Sequence, residues 1–136
     1  MIGYSKQQQL GRKTKAPKRA KRGQISQDDY STALEVNARY DGSYGCYVCG
    51  KNNIEMHHVM FRSQGGRGKW RNLLPLCKEH HEMAHEEREL NDQLKEHLTK
   101  LHGPHYYKDE WDLYDEGLID EPTVSKYEKF MEGERQ

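Results

Sequence analysis

Large apolar residues are scarce in this chain. Only 33% of its 136 residues are hydrophobic against 32% charged, and Phe and Trp occur twice each. So little apolar material builds only a small core, and small polar domains are commonly held together by a metal or by disulfides. The three cysteines are an odd number, which excludes a fully paired disulfide framework. No apolar run approaches the ~20 residues of a membrane-spanning helix. The basic N-terminus is not followed by an apolar stretch, so no secretory signal is expected. These absences predict a soluble protein of a reducing compartment with no membrane partner.

Acids are missing from the first 27 residues, which carry eight Lys or Arg. The formal net charge of zero therefore hides a segregation. Residues 28–85 hold seven charges of each sign, and residues 86–136 hold fifteen acids against seven basic residues. The stretch SKQQQLGRKTKAPKRAKRGQ has Leu10 as its one large apolar residue. It cannot bury enough surface to offset the entropy of ordering, and it reads as a disordered basic arm over residues 1–25. Such arms meet phosphate backbones, where each contact releases counterions.

Ser26, followed by Asp28 and Asp29, has the form of a helix cap with acids in the first turn. Tyr30, Ala33, Leu34 and Asn37 would share one face of that helix, and YDGSYG would end it. Two short strand-like runs then flank a Gly-rich basic loop. The segment from Cys77 to Leu101 lacks Gly and Pro and sets Leu90, Leu94, Leu98 and Leu101 on one stripe, which predicts one long helix ended by Gly103-Pro104. The expected order is helix, strand, loop, strand, helix over residues 26–102. An acidic, aromatic extension follows over 103–136, whose Tyr106, Tyr107, Trp111, Leu113, Tyr114 and Leu118 would cover the long helix or face a protein partner.

Cys46-x-x-Cys49 and Cys77-x-x-His80 are two half-sites of the width that tetrahedral zinc requires, and they use every cysteine in the chain. His81, next to His80, could substitute as the fourth ligand. Four protein ligands leave no open position, so this zinc would be structural. The other histidines form a second constellation. His81 and His85 are i, i+4 and share a helix face. His57 or His58, on the preceding strand, could add a third imidazole, and three protein ligands with open positions suit a catalytic cation. Neighbours in a strand point to opposite faces. If one of the pair faces the metal, the other points elsewhere, and a neutral imidazole there can act as a general base. Arg62, Arg67, Lys69 and Arg71 give the loop four positive charges for a phosphate backbone.

CYVCG…EMHHVMFRSQGG…NLLPLCKEHHEMAH resembles the HNH nucleases of the ββα-metal (His-Me finger) superfamily, in the zinc-stabilised branch common in phage-encoded and bacterial proteins. The resemblance covers Cys46 to His85. It implies an α+β fold: a small ββα-metal core with a zinc knuckle. It also implies His57 as metal ligand, His58 as general base, Asn72 as a brace of the loop that orients the base, His81 and His85 as ligands, and Arg62 facing phosphates. Two positions depart from the pattern: many members have Cys where this chain has His80, and many have Pro where it has Phe61.

The expected activity is metal-dependent hydrolysis of DNA phosphodiesters, by nicking or double-strand cleavage, in the cytoplasm of a bacterial or phage-infected cell. It would use structural Zn2+ and one divalent cation among Mg2+, Mn2+, Ni2+ and Zn2+. The alternative is a zinc-stabilised nucleic-acid-binding or adaptor protein without catalysis. His81 and His85 discriminate, because a binder has no use for a second metal-facing set.

Overall fold

The computed structural model describes residues 21, 23–39 and 41–134, so the predicted disordered arm lies largely outside the described residues. The elements follow in the order α1 (Gln27–Val36), β1 (Ile54–His58), a 3-10 turn (Arg62–Gln64), a second (Trp70–Asn72), β2 (Leu73–Cys77), α2 (Lys78–Glu86), α3 (Arg88–His102), α4 (Glu110–Asp115) and α5 (Val124–Glu134). The molecule is α+β: β1 and β2 form a two-stranded antiparallel sheet, with His57 opposite Leu74 and His58 opposite Leu73. None of the described helices is long and apolar enough to cross a membrane.

Each element has a local cause. Ser26 caps α1, its Oγ accepting from Asp29 N–H at 3.0 Å, and the Asp29 carboxylate accepts from Trp70 N–H at 3.1 Å, tying the helix to the loop. All five residues of β2 are buried, with α1 and α2 both packed on the strand. Pro75 interrupts this strand without harm because its lost N–H lies in a two-stranded sheet. Its carbonyl accepts from Tyr47 N–H at 2.7 Å, which fastens the cysteine-bearing loop to the sheet.

The single helix expected from Cys77 to Leu101 is in fact two. Glu87 is extended (φ −108°, ψ 105°) and separates α2 from α3. No Gly or Pro marks the break, so it is packing that overrides helix propensity here. α2 contacts both strands and carries His80, His81 and His85, whereas α3 carries Leu90, Leu94 and Leu98 into the core. Leu101, expected on the same stripe, is exposed instead.

The main core joins Val59, Leu74, Leu76, Ala84, Leu94, Leu98 and Tyr106 around buried Cys46 and Cys77. The acidic extension is folded against the domain. Tyr106 belongs to the main core, and Leu113, Tyr127 and Met131 build a second cluster with Ile119 and Phe130.

Candidate functional site

Among the described residues, two groups of side chains bring together donor atoms that could hold a metal ion. In the first, Cys46 and Cys49 come from the loop before β1, Cys77 ends β2, and His80 lies in the first turn of α2; their donor atoms all lie within 4.8 Å of one another. Cys77 Sγ is 3.3 Å and Cys46 Sγ 3.7 Å from His80 Nδ1, and Cys49 Sγ is 3.7 Å from Cys77 Sγ. A tetrahedral zinc with Zn–S near 2.3 Å separates its ligands by about 3.8 Å, so the donor set fits that ion. All three cysteines are free thiols. Burial alone would push the Cys46 thiol up, but hydrogen bonds from the backbone at Cys77, Cys49 and Val48 bring it down to about 6, favouring the thiolate that zinc takes. Of the two adjacent histidines, His80 joins the cysteines and His81 does not.

His81 instead joins His57 and His85, again with donor atoms within 4.8 Å. His57 is fully buried. Its Nε2 lies 2.8 Å from Asn91 Oδ1, while the same amide's Nδ2 donates to the Val59 carbonyl at 3.0 Å. With the amide nitrogen spent on Val59, the oxygen faces the ring, so His57 Nε2 is the donor and Nδ1 keeps a lone pair. That Nδ1 is buried and has no hydrogen-bond partner. An orphaned imidazole nitrogen beside two other imidazoles is what a metal site presents before its ion is counted. Burial pushes the His57 pKa down to about 4, so the ring is neutral and able to ligate near neutral pH.

Two outer contacts orient the other rings. The Glu55 carboxylate accepts from His81 Nδ1 at 2.6 Å, leaving Nε2 for a cation. Phe61 stacks on His85 with centroids 4.7 Å apart and planes 15° apart, so the aromatic ring at this position restrains the His85 imidazole. Asn91, Glu55 and Phe61 were not singled out as functional from the sequence. Glu55 could have been, since it stands two residues before His57 on the same strand face. Asn91 carried a weaker signal, a polar residue set within the leucine stripe.

His58 turns the other way from His57 and lines a recess of about 370 Å³ with Met56, Phe61, Arg62, Ser63, His81 and His85. Burial lowers its pKa, which keeps it neutral. Its Nε2 sits 2.8 Å from the Gly23 carbonyl oxygen. Asn72 is fully buried behind the loop. Its Oδ1 accepts from Met60 N–H at 2.8 Å, and its Nδ2 donates to the carbonyls of Met60 at 3.2 Å and Arg67 at 2.9 Å.

The four loop cations do not form one patch. Arg62 borders the recess. Arg67 is buried and grips Asp112 with two hydrogen bonds of 3.0 Å, with Asp109 3.5 Å away. Lys69 pairs with Glu110 at 3.2 Å. Arg71, also buried, reaches Glu128 at 3.1 Å and lies over the Trp70 ring. Acids of the extension fold back onto three of the four cations expected to face phosphate. A basic residue missed in the sequence, Lys95, borders a neighbouring hollow with His85, its Nζ 5.9 Å from the Phe61 ring centre and 3.5 Å from Gln64 Oε1.

Residues 46–87 match the family model for HNH endonuclease. The matched stretch contains both donor groups and His58, and it leaves α1, α3 and the acidic extension outside. The match is consistent with the HNH superfamily, whose members are generally nucleases acting on nucleic acid. Among curated proteins and solved structures, none matches the chain.

Proposed function

We propose that this chain is a metal-dependent HNH endonuclease that hydrolyses DNA phosphodiester bonds. The observation that carries the reading is the orphaned Nδ1 of buried His57 beside His81 and His85, with His58 opening on the adjoining recess. A non-catalytic binding module would need only the cysteine group. His57 Nδ1, His81 Nε2 and His85 would hold one divalent cation, and Cys46, Cys49, Cys77 and His80 would hold a structural zinc. Of the four candidate cations, imidazole ligands suit Ni2+ and Zn2+ best, while availability favours Mg2+. The catalytic cation, when bound, supplies charge stabilisation to the phosphate and to the departing oxygen.

The chain's own residues supply the rest. Arg62 at the rim of the recess holds the phosphate in place. His58 takes a proton from an in-line water as its oxygen bonds to phosphorus. The bond from phosphorus to the 3′ oxygen breaks, and that oxygen takes a proton from solvent. Products bear 5′-phosphate and 3′-hydroxyl ends. Asn72, by holding both sides of the loop, keeps the recess open beside His58. The same reading takes in a phage or mobile-element setting in the cytoplasm of a bacterial host.

His58→Ala is the direct test. The variant should lose cleavage of supercoiled plasmid by roughly the 10²–10⁴-fold that a positioned base contributes. Its metal content and melting temperature should stay at wild-type values. Wild-type cleavage by a metal-replete His58→Ala protein would remove His58 as the base. DNA binding by the wild type without cleavage, across a panel of divalent cations and of supercoiled, linear and branched DNA, would leave a binding module.

A further inference from the structure

The chain approaches the recess from a second direction, through the segment that precedes α1. Gln24 N–H donates to the Lys21 carbonyl at 3.0 Å, closing a turn that leads into the Ser26 cap. Within it, buried Gly23 takes φ +80°, a left-handed value that side-chain-bearing residues rarely adopt. Its carbonyl lies 2.8 Å from His58 Nε2.

Two close approaches lock this turn in place. A Cβ on Gly23 would fall 2.2 Å from Arg62 Nε, and a Cβ on Gly68 would fall 2.2 Å from the Gln24 carbonyl oxygen. The turn is therefore wedged between the Arg62 side chain and the backbone of the Gly-rich loop. The hydrogen bond from Trp70 N–H to Asp29 ties α1 to that same loop just beyond.

A carbonyl oxygen only accepts, so the bond to Gly23 requires the proton of neutral His58 to sit on Nε2. We infer that the Gly23 turn is a positioning element for the general base: its carbonyl fixes the tautomer and ring plane of His58, so that Nδ1 is the nitrogen that receives the proton from water. The inference rests on the reading of His58 as base, and it gives the residues just before α1 a task distinct from the electrostatic one of the basic arm.

One spectrum and two variants of the chain test it. In an imidazole proton–nitrogen correlation spectrum of the wild-type protein, His58 should appear as the Nε2–H tautomer, a readout that needs no variant and no cleavage. Gly68→Ala, which pushes a methyl group onto the Gln24 carbonyl, should mix the His58 tautomers. It should also lower kcat by roughly tenfold, part of the contribution a positioned base makes, with KM little changed. Replacing Arg12, Lys13, Lys15, Lys18 and Arg19 with Gln should do the reverse, raising KM and sparing kcat. An Nδ1–H tautomer in the wild type overturns the inference. So does Gly68→Ala with the Nε2–H signal lost and kcat unchanged. A rise of kcat in Gly68→Ala overturns it too, because Gly23 would then obstruct the base. Cleavage by His58→Ala would instead sink the base assignment and leave the tautomer result standing.

Discussion

Single side chains decide what the histidine cluster can do. His57 is a usable ligand because Asn91 fixes which nitrogen bears its proton, and Asn91 is itself oriented by the Val59 carbonyl. Such outer contacts are typically worth 10–100-fold in metal affinity. Asn91→Ala should therefore weaken binding of the catalytic cation by about that factor in a chelator-competition titration, while zinc held by the cysteine group stays in place. It should also lower stability by roughly 1–3 kcal/mol, the cost of leaving a buried polar group unpaired. Unchanged affinity for the cation would show that the His57 ring needs no such support. The histidines and cysteines were legible in the sequence because their chemistry restricts them to few tasks and their spacing matched known ligand geometry. Asn91 was not, because its role depends on meeting His57, 34 residues earlier in the chain, and nothing local to Asn91 records that contact.

At the scale of elements, the sequence read local regularities well and long-range placement poorly. Ser26 with Asp28 and Asp29 marked the start of α1, and two short apolar runs marked β1 and β2, because caps and strand patterns are properties of neighbouring residues. The break at Glu87 escaped, since two packing demands of different direction meet there without a Gly or Pro to announce them. The Gly-rich loop escaped in a more consequential way. Its charges could be counted, but the acids that meet them lie about forty to sixty residues further on, at Asp112, Glu110 and Glu128. The proposal that DNA is held at the recess then divides the loop in two. Arg62→Ala should reduce the slope of log affinity against log salt by about 0.9, the loss of one phosphate contact. Lys69→Ala should leave that slope unchanged, because its charge is already matched by Glu110. Equal slope losses in the two variants would mean that the extension releases the loop when DNA binds.

For the molecule as a whole, the question is whether the acidic extension is an appendage or part of one folding unit. Buried Arg67, bonded twice to Asp112, is the central link between the two, and Arg71 with Glu128 is a second. Removing one member of a buried pair strands the other charge at a cost of roughly 3–5 kcal/mol. Asp112→Asn keeps an oxygen for the cap of α4, where Asp109 and Asp112 exchange backbone hydrogen bonds. Its effect therefore isolates the charge, and with Asp109 still 3.5 Å from Arg67 it should fall near the lower end of that range. Arg67→Met removes the guanidinium from beside two carboxylates and should cost a comparable amount. The double variant should cost less than the sum of the singles by more than about 1 kcal/mol, since residues in one ion-pair network are not additive. If extension and metal-binding core are one unit, urea unfolding of each variant gives a single transition, shifted in midpoint, whether followed by tryptophan fluorescence or by zinc release. Two separated transitions, or strict additivity of the two substitutions, would make the extension an independent module resting on the loop.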